Sequence, residues 1–421
     1  MEKTLSDQIA AIAAYARDNF RGMLREPQGL LRYPFIVPGS ASYNNCLWDW
    51  DSWLTDVALR QICMDSGADP AGLLPYEQGC ILNFLDHFDE ETGRMPICIT
   101  PESVMHSLHP NAAPGEENTH KPCLAQHAAF VARSTGSAEW LRPFFDRLMR
   151  FIAFYDKYCR HSSGLYFWID DFAIGVDNDP CTFYRPRRSS GSIYLNSLML
   201  RELRAMSWLA EQLGLPQDAR RYAGQADALA GAIRLHCWDE RDGFFYSVDL
   251  NLEPVVPDEW LHSGCPRHWD TLLQRIDVWS GFLPLWAGAA EPEQAQRCAL
   301  RAEDERTFSA AYGIRTLSRL EKMYRIVPSG NPSCWLGPVW GVSNYLTWSA
   351  LLRSGCTEQA RRLAEKTIRL LAEDLQRSGA LHEYYDPDSG EGVINPGFQN
   401  WNLLAVNMGA WLEGRPVVSE F

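Results

Sequence analysis

Five glycine-led turns recur along the chain at an almost even step. They are Gly93-Arg-Met-Pro-Ile97, Gly164-Leu-Tyr-Phe-Trp168, Gly243-Phe-Phe-Tyr246, Gly313-Ile-Arg315 and Gly379-Ala-Leu-His382, separated by 71, 79, 70 and 66 residues. Between them apolar residues keep a helical period. Trp140, Phe144, Leu148 and Ile152 step by four, and Leu363, Ile368, Leu371 and Leu375 nearly do. Arg353-Ser354-Gly355 and Arg377-Ser378-Gly379 have the form of helix ends, a cation in the last turn and glycine just past it. A unit of about 70 residues holds two helices and their loops, and six units account for nearly all 421 residues. The expected architecture is all-α: six helical hairpins closed into an (α/α)6 toroid, one domain over residues 1–421, with short β-hairpins in the loops of one face. An open α-solenoid is the competing arrangement. In a closed ring the loops of one face surround a central cavity.

Charge and cysteine usage narrow the function classes. The formal net charge is −14, a field that repels phosphate backbones, so nucleic acid is not the expected partner. Twelve cysteines in 421 residues are too dilute for a disulfide scaffold, and no two lie closer than 17 positions, so there is no C-x-x-C redox or metal motif. The ten histidines include His106-x-x-His109 and His120 with His127, without a convincing third ligand, so no metal is expected. The segment from about residue 3 to 24 has no apolar h-region and reads as an amphipathic helix. No stretch of 18 apolar residues occurs, so no membrane span is expected. Asn331-Pro332-Ser333, the one N-x-S/T match, is disqualified by its proline. These observations together fit a cytoplasmic protein, and they leave self-association into a homo-oligomer open.

Aromatic residues are the compositional outlier. There are sixteen Trp, and Trp48, Trp50 and Trp53 fall within six residues of one another. Core packing accounts for most of them. Trp beside Asp is also what a sugar site needs, flat apolar faces for the ring and carboxylates for its hydroxyls. Four segments have that character. In Tyr43-Asn-Asn-Cys-Leu-Trp-Asp-Trp-Asp-Ser-Trp53, Asp49 or Asp51 caps the following helix or accepts hydroxyls in a Trp-walled pocket. Asp170-Asp-Phe-Ala-Ile-Gly-Val-Asp-Asn-Asp-Pro180 packs four Asp into a loop without calcium-loop spacing. In Cys334-Trp-Leu-Gly-Pro-Val-Trp-Gly341, Gly337-Pro338 breaks the chain and lets Trp335 and Trp340 face a cavity. His382-Glu-Tyr-Tyr-Asp-Pro387, followed by Phe398-Gln-Asn-Trp-Asn402, sets Glu383 in a turn-rich loop. Motifs for serine hydrolases, dinucleotide binding, P-loops and zinc proteases are absent.

Taken in order, these segments resemble glycoside hydrolase family 63 and its trehalase-like relatives, compact members acting on mannosylglycerate or glucosylglycerate among them. Leu47-Trp-Asp-Trp-Asp-Ser-Trp53 resembles that family's W-x-W-D-S segment, Thr119-His-Lys-Pro-Cys-Leu124 its T-K-P-P-L or Q-P-P segment, and Gly175-Val-Asp-Asn178 its G-x-D-N segment. Trp335-Leu-Gly-Pro-Val-Trp340 resembles W-R-G-P-V-W, and His382-Glu-Tyr-Tyr-Asp-Pro387 the late E-x-Y-x-P. The resemblance implies an (α/α)6 barrel and an inverting hydrolase of a small α-glucoside or α-mannoside, with no cofactor. Asp177 is then the general acid and Glu383 the general base. Trp48, Trp50 and Asp51 hold the sugar ring, and Lys121 and Arg185 are cations for an anionic leaving group such as glycerate. Trp335, Trp340, Tyr384 and Trp401 complete the carbohydrate-binding set. Aromatic walls are expected to raise the acid's pKa, while hydrogen bonds or an Arg keep the base charged. Ala173-Ile174 stand where the family has Glu-Ser, and Leu336 where it has Arg. The altered acid loop permits one alternative, a catalytically silent sugar-binding toroid. A sugar epimerase or isomerase, which also uses α/α barrels but with His as acid/base, is another, with His382 the suggestive His.

Overall fold

A computed structural model describes residues 4–109, 111–183, 185–252, 270–327 and 330–421. In chain order its helices are α1 (Leu5–Asn19), α2 (Asp49–Ser66), α3 (Leu74–Asp86), α4 (Leu124–Thr135), α5 (Phe145–Tyr158), α6 (Ile193–Gln212), α7 (Pro216–Cys237), α8 (Leu283–Ala287), α9 (Pro292–Glu303), α10 (Gly341–Arg353), α11 (Thr357–Ser378) and α12 (Ala405–Leu412). They alternate between two kinds. Even-numbered helices are buried almost all round, as in α2, where every residue from Asp49 to Leu59 is buried. Odd-numbered helices bury one stripe. In α11 the buried Ala360, Leu363, Ala364, Thr367, Ile368 and Leu371 recur at three- and four-residue steps, the mark of a helix with one wet face.

The buried helices close a ring. α2 packs on α4, α4 on α6, α6 on α8, α8 on α10, α10 on α12 and α12 back on α2. The amphipathic helices form an outer layer: α3 lies on α4, α7 on α6, α11 on α10 and α12, and α1 on α11 and α12. This is the (α/α)6 toroid, and the contact of α12 with α2 excludes the open solenoid. Among the described residues no helix is long and apolar enough to cross a membrane.

The recurring glycines mark one structural position. Gly93, Gly164, Gly243, Gly313 and Gly379 follow the outer helices α3, α5, α7, α9 and α11, and all five have positive φ. Each turns the chain from the outer layer toward the inner ring, in a conformation a side chain disfavours. They are not all hairpins, as the spacing suggested. Gly243 lies between the paired strands Trp238–Asp239 and Phe244–Phe245, and Gly313 opens a strand paired with Ser309–Ala310. Gly164 is flanked by one isolated bridge, Arg160 with Tyr166, and Gly379 is the left-handed cap of α11. The expected first helix is also shorter, ending at Asn19 and continuing as the 3-10 turn Phe20–Met23; residues 1–3 lie outside the described residues. Pro143 splits the Trp140–Ile152 periodicity into the 3-10 turn Glu139–Phe144 and α5.

Connection lengths decide which end of the ring holds a site. Loops entering an inner helix are long: 20–48, 87–123, 159–192, 304–340 and 379–404. Loops leaving an inner helix are short, such as 67–73, 213–215 and 354–356. All the long loops therefore gather where the inner helices begin. The opposite end is closed by residues 415–421. Gln61 of α2 holds the Pro416 carbonyl and the Val418 N–H, Arg133 of α4 holds the Ser419 carbonyl, and Glu420 enters between α8 and α10.

Candidate active site

The long loops enclose a cavity of about 1060 Å³. Its wall includes Trp48, Trp50, Asp51, Lys121, Trp340 and Trp401 from the carbohydrate-binding set expected from sequence, together with both proposed catalytic carboxyls, Asp177 and Glu383. Trp335 and Tyr384 lie one layer back. Trp335 stacks on Trp340 at 4.0 Å with 11° between planes, and Tyr384 stacks on the same ring at 4.8 Å. Hydrogen bonds fix this layering. The Tyr384 hydroxyl donates to the Pro332 carbonyl at 2.7 Å, and the Trp340 indole donates to the Cys334 carbonyl at 2.9 Å. Arg185 is a correction. It pairs with Asp249 and is not part of the cavity wall.

The floor is built at the start of α2. Asp49 and Asp51 both fall in its first turn, where the helix dipole favours carboxylates. They meet different surroundings. Asp49 accepts from the Lys121 ammonium at 2.8 Å and the Lys121 backbone N–H at 3.0 Å. Burial alone would raise its carboxyl; the Lys121 charge overrides that and holds it below the ordinary range. Lys121 is thus spent on Asp49, with its ammonium 5.5 Å over the Trp50 ring. Asp51 has no such cation and accepts from the Asn400 amide at 2.5 Å. Burial, then the charge of Asp49, pushes its carboxyl up to about 7. Trp50 and Trp401 meet edge to face at 5.2 Å beside it. The indole N–H groups of Trp48 and Trp401 are buried without a protein acceptor.

The Asp177 loop is shaped by three left-handed residues, Ala173, Gly175 and Asn178. At Gly175 a Cβ would stand 3.1 Å from the Trp50 ring and from Lys121 Cε, so the glycine lets this loop lie on the floor. The Asn178 side chain donates to the Ser333 carbonyl at 2.8 Å and accepts from the Trp335 N–H at 3.0 Å, tying the loop to the Trp335–Trp340 segment. The four Asp of the loop divide by task. Asp170 accepts from the Phe172 N–H and pairs with Arg187. Asp179 accepts from the Cys181 N–H and the Thr182 hydroxyl, and burial raises its carboxyl to about 6. Asp171 and Asp177 face the cavity.

Glu383 sits opposite. It precedes the strand Tyr384–Tyr385, which pairs with Val339–Trp340, so the two late motifs share one ladder. Glu383 is 5% exposed. Its carboxylate accepts from the Asn395 amide and from the Tyr43 hydroxyl, 3.4 Å from either oxygen. Burial raises its carboxyl to about 7 against those two donors, and the negative charge of Asp177 adds to the rise. Of the Arg or hydrogen bonds expected to keep the base charged, the described residues supply hydrogen bonds from neutral donors, and these draw the Glu383 carboxyl down against the larger effect of burial. The loop of Asp177 enters α6 and that of Glu383 precedes α12, the third and sixth members of a six-helix ring, so the two loops lie across the axis from each other.

Sequence reasoning missed Asn395 and Asn400, whose amides hold Glu383 and Asp51, and the role of Tyr43. It also missed the mouth, where Lys322, Met323, Tyr324 and Arg325 line the cavity. Tyr43 heads a quoted motif, but nothing in the composition of 322–325 sets it apart. His382 is bonded to the buried Asp374 at 2.9 Å and is not part of the wall. Ala173 and Leu336, at the positions that depart from the family pattern, both line the cavity, whereas Ile174 is buried behind it.

The family model described as "Mannosylglycerate hydrolase MGH1-like glycoside hydrolase domain" matches residues 43–402. A probable mannosyl-oligosaccharide glucosidase of Schizosaccharomyces pombe is 27% identical over 248 residues, 56% of this chain and 28% of that protein. The glucosylglycerate hydrolase of Mycolicibacterium hassiacum is 27% identical over 163 residues, 36% of this chain and 33% of that protein. The chain thus spans about a third or less of the length of these curated relatives. Among solved structures, the GH63 mannosylglycerate hydrolase from Thermus thermophilus in complex with glucose superposes with a TM-score of 0.66 at 20% identity, covering 94% of this chain and 99% of that one.

Proposed function

The chain belongs to the family of mannosylglycerate hydrolase MGH1-like glycoside hydrolase domains, and from that premise we propose that it hydrolyses a small α-glucoside or α-mannoside with inversion at the anomeric carbon. Asp177 donates a proton to the leaving oxygen. Glu383 takes a proton from a water that attacks the opposite face of the sugar. An inverting pair stands about 6.5–9.5 Å apart to make room for that water. Loops on opposite sides of one axis suit such a pair better than neighbouring loops do. The observation that carries the reading is Glu383 itself, a carboxyl almost wholly buried beside a large cavity, held by neutral donors and opposed by a second carboxyl. A carboxyl whose pKa lies near neutrality is poised for proton transfer.

The lining residues are of two kinds, which supports an assignment of subsites. Asp51 and the Trp48, Trp50 and Trp401 rings offer acceptors and apolar faces for the sugar. Lys322 and Arg325 line the mouth, where a cation suits an anionic leaving group. A glycerate-type glycoside meets both kinds, and a neutral disaccharide meets one.

The raised carboxyl of Glu383 favours one second reading, with Glu383 as donor and Asp177 as base. A leaving-group series separates the two. In the proposed assignment Asp177→Asn loses about two to four decades of kcat on a natural glycoside and regains most of it on a dinitrophenyl glycoside, which needs no protonation. Glu383→Gln loses activity on both. The reverse pattern swaps the roles. No release of free sugar by the wild-type protein from any α-glycoside tested would support the silent sugar-binding alternative. The epimerase alternative loses its candidate, since His382 is engaged with Asp374 away from the wall.

A further inference from the structure

Beside the cavity floor lies a pair of thiols that glycoside hydrolysis does not use. Cys46 directly precedes the strand Leu47–Trp48. Across the antiparallel ladder Leu47 stands opposite Ile99, and Trp48 opposite Cys98. Continued one residue past the strand, that register brings Cys46 diagonal to Cys98, and their side chains are hydrogen-bonded to each other.

The two thiols differ in the way an oxidisable pair requires. Among the described cysteines Cys46 alone is not buried, whereas its neighbour Cys98 is 3% exposed. The hydrogen bond from Cys98, opposed by partial burial, draws the Cys46 thiol below its ordinary range; the same contact, with burial, pushes Cys98 up. A reachable thiol with thiolate character beside a protected second thiol is the arrangement of an attacking and a resolving cysteine.

We propose that Cys46 and Cys98 are a peroxide-oxidisable dithiol at the edge of the cavity that closes to an intramolecular disulfide. The Cys46 thiolate attacks hydrogen peroxide. An S–O bond forms, the O–O bond breaks, and the departing hydroxide leaves as water, giving a sulfenic acid. The Cys98 sulfur then attacks the Cys46 sulfur. The S–S bond forms, the S–O bond breaks, and the Cys98 proton departs with the hydroxide as a second water. Two thiols lose two electrons and the peroxide gains them. The neighbouring strand residue Trp48 lines the cavity, so the disulfide would clamp the floor of the site.

The test needs no glycosidase assay and is independent of the hydrolase reading. The folded chain is exposed to stoichiometric hydrogen peroxide, quenched with N-ethylmaleimide in denaturant, and mapped by non-reducing peptide mass spectrometry. Peptide resolution separates Cys265, which lies outside the described residues, from the rest. The expected result is loss of two thiols per molecule as one linked peptide pair holding Cys46 and Cys98, reversed by dithiothreitol, with the buried cysteines reacting at least about tenfold more slowly. In Cys98→Ser, oxidation stops at a Cys46 sulfenic acid that dimedone captures. In Cys46→Ser, Cys98 stays reduced. Cys46 oxidising in the wild type while Cys98 stays free would overturn the proposal. So would a first link elsewhere, or unchanged oxidation of Cys98 in Cys46→Ser.

Discussion

Each end of the ring buries a glutamate, and the two are treated in opposite ways. Glu420, 1% exposed, enters between α8 and α10. It accepts from the Tyr345 hydroxyl at 2.6 Å, the Trp286 indole at 2.8 Å, the Ser349 hydroxyl at 2.9 Å and the Arg353 guanidinium at 3.0 Å. Burial would raise its carboxyl, but Arg353 and Arg201 bring it down to about 2. Glu383, 5% exposed, has two neutral donors and a facing carboxyl, and stands at about 7. Both are desolvated to a similar degree, so counter-charge makes the difference. Glu420 is given cations. Glu383, which exchanges a proton in the proposed mechanism, is given neutral hydrogen bonds and a cavity. Asp49 and Asp51 repeat the contrast two residues apart, one neutralised by Lys121 and the other left at about 7.

Mutating the two glutamates breaks that comparison most directly. Glu383→Gln is expected to cut kcat by about 10²–10⁴ while leaving the fold intact. The ionised carboxyl is disfavoured in the folded state, so its contribution to stability is full below pH 4.5 and is lost as pH rises through about 7. Thermal melts should therefore show the variant gaining on the wild type as pH rises from 4.5 to about 7, and a difference that stays constant or widens over that range would contradict the account. Glu420→Gln is expected to do the converse. It leaves Arg201 buried without its counter-charge and should cost about 3 kcal/mol or more in denaturant titrations, with kcat per folded molecule unchanged. A smaller effect comes from Tyr43→Phe. Removing that donor raises Glu383 further, so the acidic limb of the pH–rate profile should move upward and kcat/KM fall about two- to threefold on that limb. The smallest is Arg185→Ala. Its partly exposed pair with Asp249 is worth about 0–1 kcal/mol, and steady-state kinetics should stay at wild-type values.

What could be read from the residues was what repeats or clusters. The five glycines reported the ring because each must supply positive φ at the same step of the pattern, and a requirement of that kind survives wide sequence variation. The Trp-Asp segment reported a wall because carboxylates among indoles make a poor core. The unread parts depend on pairings across the ring. Thr119-His-Lys121 was recognisable as a motif, but Lys121 looked available for a leaving group until Asp49, 72 residues away, was found against it. Arg185 follows the acid loop in sequence, yet Asp249 takes its charge. Asn395 and Asn400 looked like ordinary turn residues, and their amides become informative only when Glu383 and Asp51 are seen beneath them. Trp335 and Tyr384 were expected in the carbohydrate-binding set with Trp340; one layer of stacking leaves only Trp340 of the three on the cavity wall.

Proton NMR of the first product is the most direct test of the central claim, that two carboxyls on opposed loops carry an inverting hydrolysis. An α-glucoside or α-mannoside that the protein cleaves is followed through the first minutes, before mutarotation equilibrates the anomers. The account predicts that the β-anomer of the free sugar appears first and the α-anomer grows in later. Release of the α-anomer first would mean a covalent intermediate and a nucleophile within about 5–5.5 Å of the acid, and would contradict it.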